Sequence, residues 1–169
     1  MAVNRIQSYT FSNKDRIIFD TNIWFFIHGP QSIDDQRQKI YSKAFHEIIS
    51  NESKLYIDVL IMAEFVNRVA RFYYDLWCEE NNLSVDFKQF RTMEDCKQIV
   101  TEIEIAAQMI LIDAKPIETG FSSMDISTVL TSFKECKHDF NDLIIIDLCR
   151  RNGLILVTDD SDFINADID

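Results

Sequence analysis

The sequence predicts an α/β fold: a central, mainly parallel sheet with helices on both faces, three layers in all. Two observations carry this. Runs such as Ile17–Phe19 and Leu154–Val157 are apolar without interruption, as strands buried on both faces are. They alternate with longer segments whose apolar residues recur every three or four positions, the spacing of amphipathic helices. A third feature ties the fold to chemistry. Acidic residues stand where strands meet helices, and in such sheets ligands bind outside the carboxyl ends of the strands.

Ile17–Phe19 reads as a buried strand, broken by Asp20-Thr21-Asn22, which can cap a helical turn over Ile23–Phe26. His28-Gly29-Pro30 ends that turn. Ile33 to Ile49 repeats apolar residues on roughly one helical face, and Asn51–Lys54 is a turn. Leu55–Val59 alternates as a second strand. A long helix is predicted over Ile61–Glu80, stopped by Asn81-Asn82, because Phe65, Val66, Val69, Phe72, Tyr73, Leu76 and Trp77 step by three and four. A further helix runs from about Phe87 to Ala106 or beyond. Ala114–Glu118 is a short strand, since Pro116 forbids continued helix, and Met124–Phe133 is another helix. Asp139 or Asn141 caps the next, which stops at Gly153. Leu154–Val157 closes the sheet.

The 169 residues suit one domain, with a core over about 17–163 and a helical insert over about 81–133. Three glycines and two prolines leave little room for linkers. The net charge of −11 argues against a generic nucleic-acid binder, whose phosphate contacts need Lys and Arg. It accounts for solubility first, and it also fits a metal site whose cations restore the local balance. Cys78, Cys96, Cys136 and Cys149 form no CxxC or other zinc spacing. With a polar stretch from Met1 to Asp15 and no apolar run of membrane-spanning length, they read as reduced thiols of a cytoplasmic protein. His28, His46 and His138 are far apart in sequence and make no ligand pair.

Four acids deserve weighing one by one. Asp20 and Asp142 are each explained by helix capping, and Asp160 by a solvated turn in Asp159-Asp160-Ser161-Asp162. Glu64 is harder to dismiss. It falls where the apolar face of its helix turns to the sheet, and a lone Glu there bears a desolvation cost. Together, four carboxylates at the sheet edge repel one another unless neutralised. Mg²⁺ or Mn²⁺, hard ions suited to carboxylate oxygens, is the simplest remedy. The pattern points to a metal-dependent phosphodiesterase.

The blocks Ile18-Phe19-Asp20-Thr21-Asn22-Ile23, Ala63-Glu64-Phe65, Asn141-Asp142-Leu143-Ile144-Ile145 through Gly153, and Leu156-Val157-Thr158-Asp159-Asp160-Ser161-Asp162-Phe163 resemble those of the PIN domain family, small metal-dependent ribonucleases of the PilT N-terminus and VapC type. The last two blocks are the most specific: an Asp opening a helix that ends at Gly, then a strand ending in Thr-x-Asp with Phe soon after. The resemblance implies Asp20, Glu64, Asp142 and Asp160 as the catalytic and metal-binding quartet, with Asn22 and Thr158 in support. Thr-x-Asp spacing selects Asp160 over Asp159, Asp162 is an outer candidate, and Asp139 is a candidate for a supporting role or a cap.

The activity so implied is endoribonuclease hydrolysis of RNA with Mg²⁺ or Mn²⁺. Within the family the resemblance extends to the toxin of a toxin–antitoxin pair, held inactive by an antitoxin protein, and a homodimer through aromatic helix faces is a further option. Two alternatives stand beside it: a structure-specific DNA nuclease on the same fold, and a non-catalytic binding or regulatory protein that keeps it. The complete quartet favours an enzyme. Arg68, Arg71, Lys134, Lys137, Arg150 and Arg151 are candidates to guide a phosphate backbone at the rim, but each is more often simply a solvated helix charge, and none is assigned to the site.

Overall fold

A computed structural model describes residues 5–30 and 36–166. Among them, four parallel strands form one sheet: β1 (Arg16–Phe19), β2 (Lys54–Ile57), β3 (Lys115–Pro116) and β4 (Ile155–Val157). Their order is β3-β2-β1-β4. Seven α-helices accompany them: α1 (Thr21–His28), α2 (Gln36–Ser50), α3 (Val59–Asn81), α4 (Phe87–Phe90), α5 (Glu94–Asp113), α6 (Ile126–Phe133) and α7 (Phe140–Asn152). The α/β expectation therefore holds.

The sheet is built from the apolar runs. Ile17, Ile18 and Phe19 of β1 are fully buried, because β1 is central and covered on both faces. β1 to β2 and β2 to β3 step one way across the sheet, and the return to β4 steps the other way. Right-handed crossovers then place α1, α2, α3 and α5 on one face and α6 and α7 on the other. The packing agrees: α1 lies against α2, α3 and α5, and α6 against α7. The order reverses between β1 and β4, which makes their carboxyl ends the switch point of the sheet.

Several boundaries differ from the sequence reading, each for a local reason. β2 stops at Ile57, two residues before Val59, because the buried Asp58 caps α3 by accepting from the Leu60 N–H. Val59 is thus the first helical residue and is exposed. The helix expected from Phe87 is two helices. Asp86 caps α4, Phe90 is buried against Trp77 (5.0 Å between ring centroids) and Tyr74 (5.4 Å), and the chain turns at Arg91–Thr92 before Met93 starts α5 in extended backbone. Within the stretch 81–133, the short strand read over Ala114–Glu118 is β3, narrowed to Lys115–Pro116, and it pairs with β2 at the sheet edge. Pro116 is tolerated there because an edge strand leaves one row of N–H groups unpaired. Asp139, rather than Asn141, caps α7, and Gly153 ends it with φ 58. The start proposed at Ile33 lies outside the described residues, while Tyr41, Ala44 and Ile48 form the buried side of α2 and Ile49 is exposed.

Aromatic packing fills the α1–α2 side of the core. Phe19, Trp24 and Phe45 are mutual neighbours, and the His28 ring stacks on Trp24 at 5.8 Å. His28 is thus a partly buried residue packed on the edge of the core, beside Asp113 (3.3 Å). The four cysteines are free thiols. No helix among the described residues is long and apolar enough to cross a membrane.

Candidate active site

Parallel pairing of β1 with β4 sets Phe19 beside Val157. The next residues, Asp20 and Thr158, therefore meet although 138 positions separate them in the chain. Asp20 is only 7% exposed. Its Oδ1 accepts from the Thr21 N–H at 2.7 Å, which starts α1. Its Oδ2 accepts from the Thr158 hydroxyl at 2.8 Å and the Asn22 amide at 3.3 Å. The same Thr158 hydroxyl accepts from the Asp160 N–H at 2.9 Å. One hydroxyl thus fixes the Asp20 carboxylate and the backbone of the Asp160 loop.

Asp160 and Asp159 part company here. The Asp160 carboxylate caps the short 3-10 turn Ser161–Asn165, accepting from the Asp162 N–H at 2.9 Å, and its charge acts on both Asp20 and Asp142. Asp159 turns to α2, where it accepts from the Tyr41 hydroxyl at 2.9 Å and lies 3.4 Å from Arg37. Asp162 is exposed and joins through its backbone only.

Asp142 is the third residue of α7, within a capping box. The Asp139 carboxylate accepts from the Asp142 N–H at 2.9 Å, and the Asp142 carboxylate accepts from the Asp139 N–H at 3.3 Å. It is therefore the reciprocal partner in the cap, not the cap residue. Glu64, in the second turn of α3, differs from expectation. The stripe that meets the core is Ile61, Phe65 and Val69, and Glu64 lies at its exposed margin.

Three of the four acids have raised pKa values. For Asp20 the main cause is burial, with Asp160 adding to it; the hydrogen bonds from Thr158 and Thr21 and the charge of Arg68 oppose it. Glu64 is raised by partial burial and by Asp20 and Asp139, against the pull of Thr21 and Arg68. The Thr21 hydroxyl is near enough to act on Glu64, yet it is buried without a regularly formed hydrogen bond. Asp142 is raised to about 6, by burial first and then by Asp139, Asp160 and Asp20. Asp20, Glu64, Asp142 and Asp160 thus share one electrostatic field, as do Asp139 and Arg68.

Arg68, which sequence reasoning left unassigned, is brought to the acids by the fold, where its charge acts on Asp20 and Glu64. It donates to Asn22 Oδ1 while its guanidinium carbon lies 4.6 Å over the Phe25 ring. Its position one turn after Glu64 was the available signal, since residues four apart share a helix face. Of the other rim cations, Arg71 lies over Phe87, Lys137 pairs with Glu135, and Arg151 pairs with Asp147 and donates to the Thr119 carbonyl. His138 packs beside Phe163, with 6.5 Å between ring centroids.

The donor set is one of hard oxygens, carboxylate and hydroxyl with an amide, which suits Mg²⁺ or Mn²⁺. Among the described residues, no three or more His, Cys, Asp or Glu side chains stand close enough together to enclose an ion.

The PIN domain family matches residues 17–169, from β1 to beyond β4. Comparison with curated proteins and with solved structures yields no match. PIN domains are generally nucleases acting on nucleic acid, and they typically use divalent metal ions. With a match over nearly its whole length, and a parallel α/β sheet whose switch point gathers the acids, the chain belongs to the PIN domain family.

Proposed function

We propose that this protein is a Mg²⁺- or Mn²⁺-dependent endoribonuclease whose site is Asp20, Glu64, Asp142 and Asp160, supported by Asn22 and Thr158. The observation that supports it most is the shared field at the β1–β4 switch point, where burial and neighbouring carboxylates raise Asp20, Glu64 and Asp142 together. Carboxylates assembled only for stability would not be placed where each destabilises the next. The four acids would hold the metal, which when bound supplies Lewis acidity, lowering the pKa of a ligated water and countering charge on the phosphate.

The chain's own residues set the geometry around that chemistry. Thr158 fixes the Asp20 carboxylate against the Asp160 loop. Asn22 holds the same oxygen from the α1 side. The Asp139 N–H orients Asp142. Glu64, its pKa raised by partial burial and its side chain at the solvent-facing margin, positions the attacking water and can take its proton. Arg68 supplies positive charge where the anionic strand must approach.

Purified protein with an end-labelled single-stranded RNA tests this. Cleavage is expected with Mg²⁺ or Mn²⁺, to stop with EDTA, and to vanish in Asp20→Asn and Asp142→Asn proteins that still melt cooperatively. Equal cleavage by Asp20→Asn would point to a contaminant and sink the assignment. A structured DNA run in parallel separates a ribonuclease from a DNA nuclease.

A further inference from the structure

On the α1–α2 side of the acids lies a groove of about 450 Å³ lined by Asn22, Phe25, Phe26, Arg37, Arg68 and the loop Asp159–Ser161. It contains two arginine–aromatic pairs. The Arg68 guanidinium lies 4.6 Å from the Phe25 ring centroid, and that of Arg37 lies 5.1 Å from the Phe26 centroid. Each pair is braced from behind. Phe25 meets the Phe72 edge at 6.1 Å, and Phe26 stacks on Tyr41 at 5.5 Å and 4°. Tyr41 is in turn tied to Asp159. Phe25 and Phe26 remain half-buried although the core behind them is otherwise complete, and both arginines are exposed.

Folding gains little from these pairs, and three further arginine–ring pairs, at Tyr56 and Phe87, lie away from the groove. Surface cation–ring contacts contribute only about 0.5–1 kcal/mol each. In a chain of net charge −11, two guanidiniums parked on rings beside a carboxylate cluster form a local exception in charge. Their chemistry is that of a nucleotide seat, since unpaired bases stack on aromatic rings and on guanidinium planes while Arg takes phosphate. The groove also connects to the acids. Arg68 donates to Asn22 Oδ1, which orients the Asn22 amide so that it donates to Asp20.

Building on the ribonuclease reading above, we propose that this groove seats one unpaired nucleotide next to the scissile phosphate, with Arg68 on the backbone phosphate and the guanidinium planes carried on Phe25 and Phe26 as the stacking surface for the base. Arg68 is then both a strand contact and a positioning residue for Asp20, through Asn22. Arg37, shared between Phe26 and Asp159, closes the far end. Specificity for an unpaired strand follows, because a base still in a helix has no exposed face to offer the guanidinium planes.

The test uses a fluorescent six-nucleotide single-stranded RNA in the Asp142→Asn protein with Mg²⁺, where the strand should stay uncut, read by anisotropy at several salt concentrations. Arg68→Ala is expected to weaken binding about tenfold and to make the slope of log K against log salt shallower by about 0.7. Arg68→Lys should restore most of the slope. Phe25→Leu and Phe26→Leu, which keep apolar volume, should weaken binding about tenfold with the slope unchanged, and the same sequence held in a hairpin stem should bind more weakly than the single strand. Binding within twofold of the parent by Arg68→Ala and both Leu variants overturns the groove, as does equal binding of the stem. If wild-type protein binds as described but never cleaves, the ribonuclease reading fails and the groove stands. Thermal melts of each variant separate lost contacts from lost folding.

Discussion

Asp142 sits between two demands. Its carboxylate closes the α7 capping box with Asp139, yet burial and the charges of Asp139, Asp160 and Asp20 raise its pKa to about 6 from an ordinary 3.8. Above pH 6 the group is charged in both folded and unfolded chains, and the folded state bears the full penalty. As pH falls from 6 towards 3.8 the folded state takes up its proton first, and the penalty is relieved. In metal-free buffer, Asp142→Asn should therefore melt above wild type at pH 8, by a few degrees, and the gap should narrow to about half at pH 5 and close only near pH 3.8. Scanning calorimetry in EDTA at both pH values checks this, and a gap independent of pH would remove Asp142 from the shared field. Differencing against the variant cancels the opposite trend of His28, whose pKa burial lowers.

At the scale of elements, the junction from β2 to α3 decides where Glu64 is presented. Asp58 is 1% exposed; its Oδ1 accepts from the Leu60 N–H at 2.7 Å and its Oδ2 from the Thr119 hydroxyl at 2.5 Å. One carboxylate thus starts α3 and ties it to the segment after β3. Asp58→Ala removes a cap and strands the half-buried Thr119 hydroxyl, costing about 2 kcal/mol, or roughly 4–8 °C in melting temperature for a chain of this size. Asp58→Asn, which can still cap, should recover much of that. A thermal melt of both variants checks it, and an Ala variant as stable as wild type would show that α3 needs no cap there. The length of α3 has its own reason. Its 23 residues span ~35 Å, well beyond strands of two to four residues. Its far half, with Phe72 and Leu76 exposed and Trp77 on Phe90, therefore leaves the sheet and packs on α4.

For the whole molecule, the metal is expected to act as a stabiliser as well as a cofactor, because a cation relieves repulsion gathered from four separate elements. Addition of Mn²⁺ at one hundred times its dissociation constant adds about 2.7 kcal/mol to folding. Melting temperature should rise accordingly, more at pH 8 than at pH 5, where protons compete for the same oxygens. Asp20→Asn should lose most of the rise, and titration calorimetry should show one saturable event in wild type. No heat and no shift in melting temperature would favour a protein that keeps the fold without the chemistry.

The sheet and most helices were legible in the sequence because their signals are local. Uninterrupted apolar runs mark doubly covered strands, three- and four-residue spacing marks helix faces, and Gly153 marks a left-handed stop. The acids at strand and helix ends were legible for the same reason, as was the Thr158-x-Asp160 frame. Three things were not. That Asp159 turns to Tyr41 and Arg37 depends on which way its carboxylate points once β4 is seated beside α2, and the Thr-x-Asp spacing, which selects Asp160, says nothing of its neighbour's partner. That Glu64 lies at the margin of its helix follows from the angle at which α3 meets the sheet. That Arg68 joins Asn22, Phe25 and Asp20 requires α1 and α3 to be packed together. The sequence alone determined which residue types stand at the ends of which elements, since that is a matter of local pattern. Only the tertiary structure decided which of them share a field, because pairing β1 with β4 brings together charges that the chain keeps 138 positions apart.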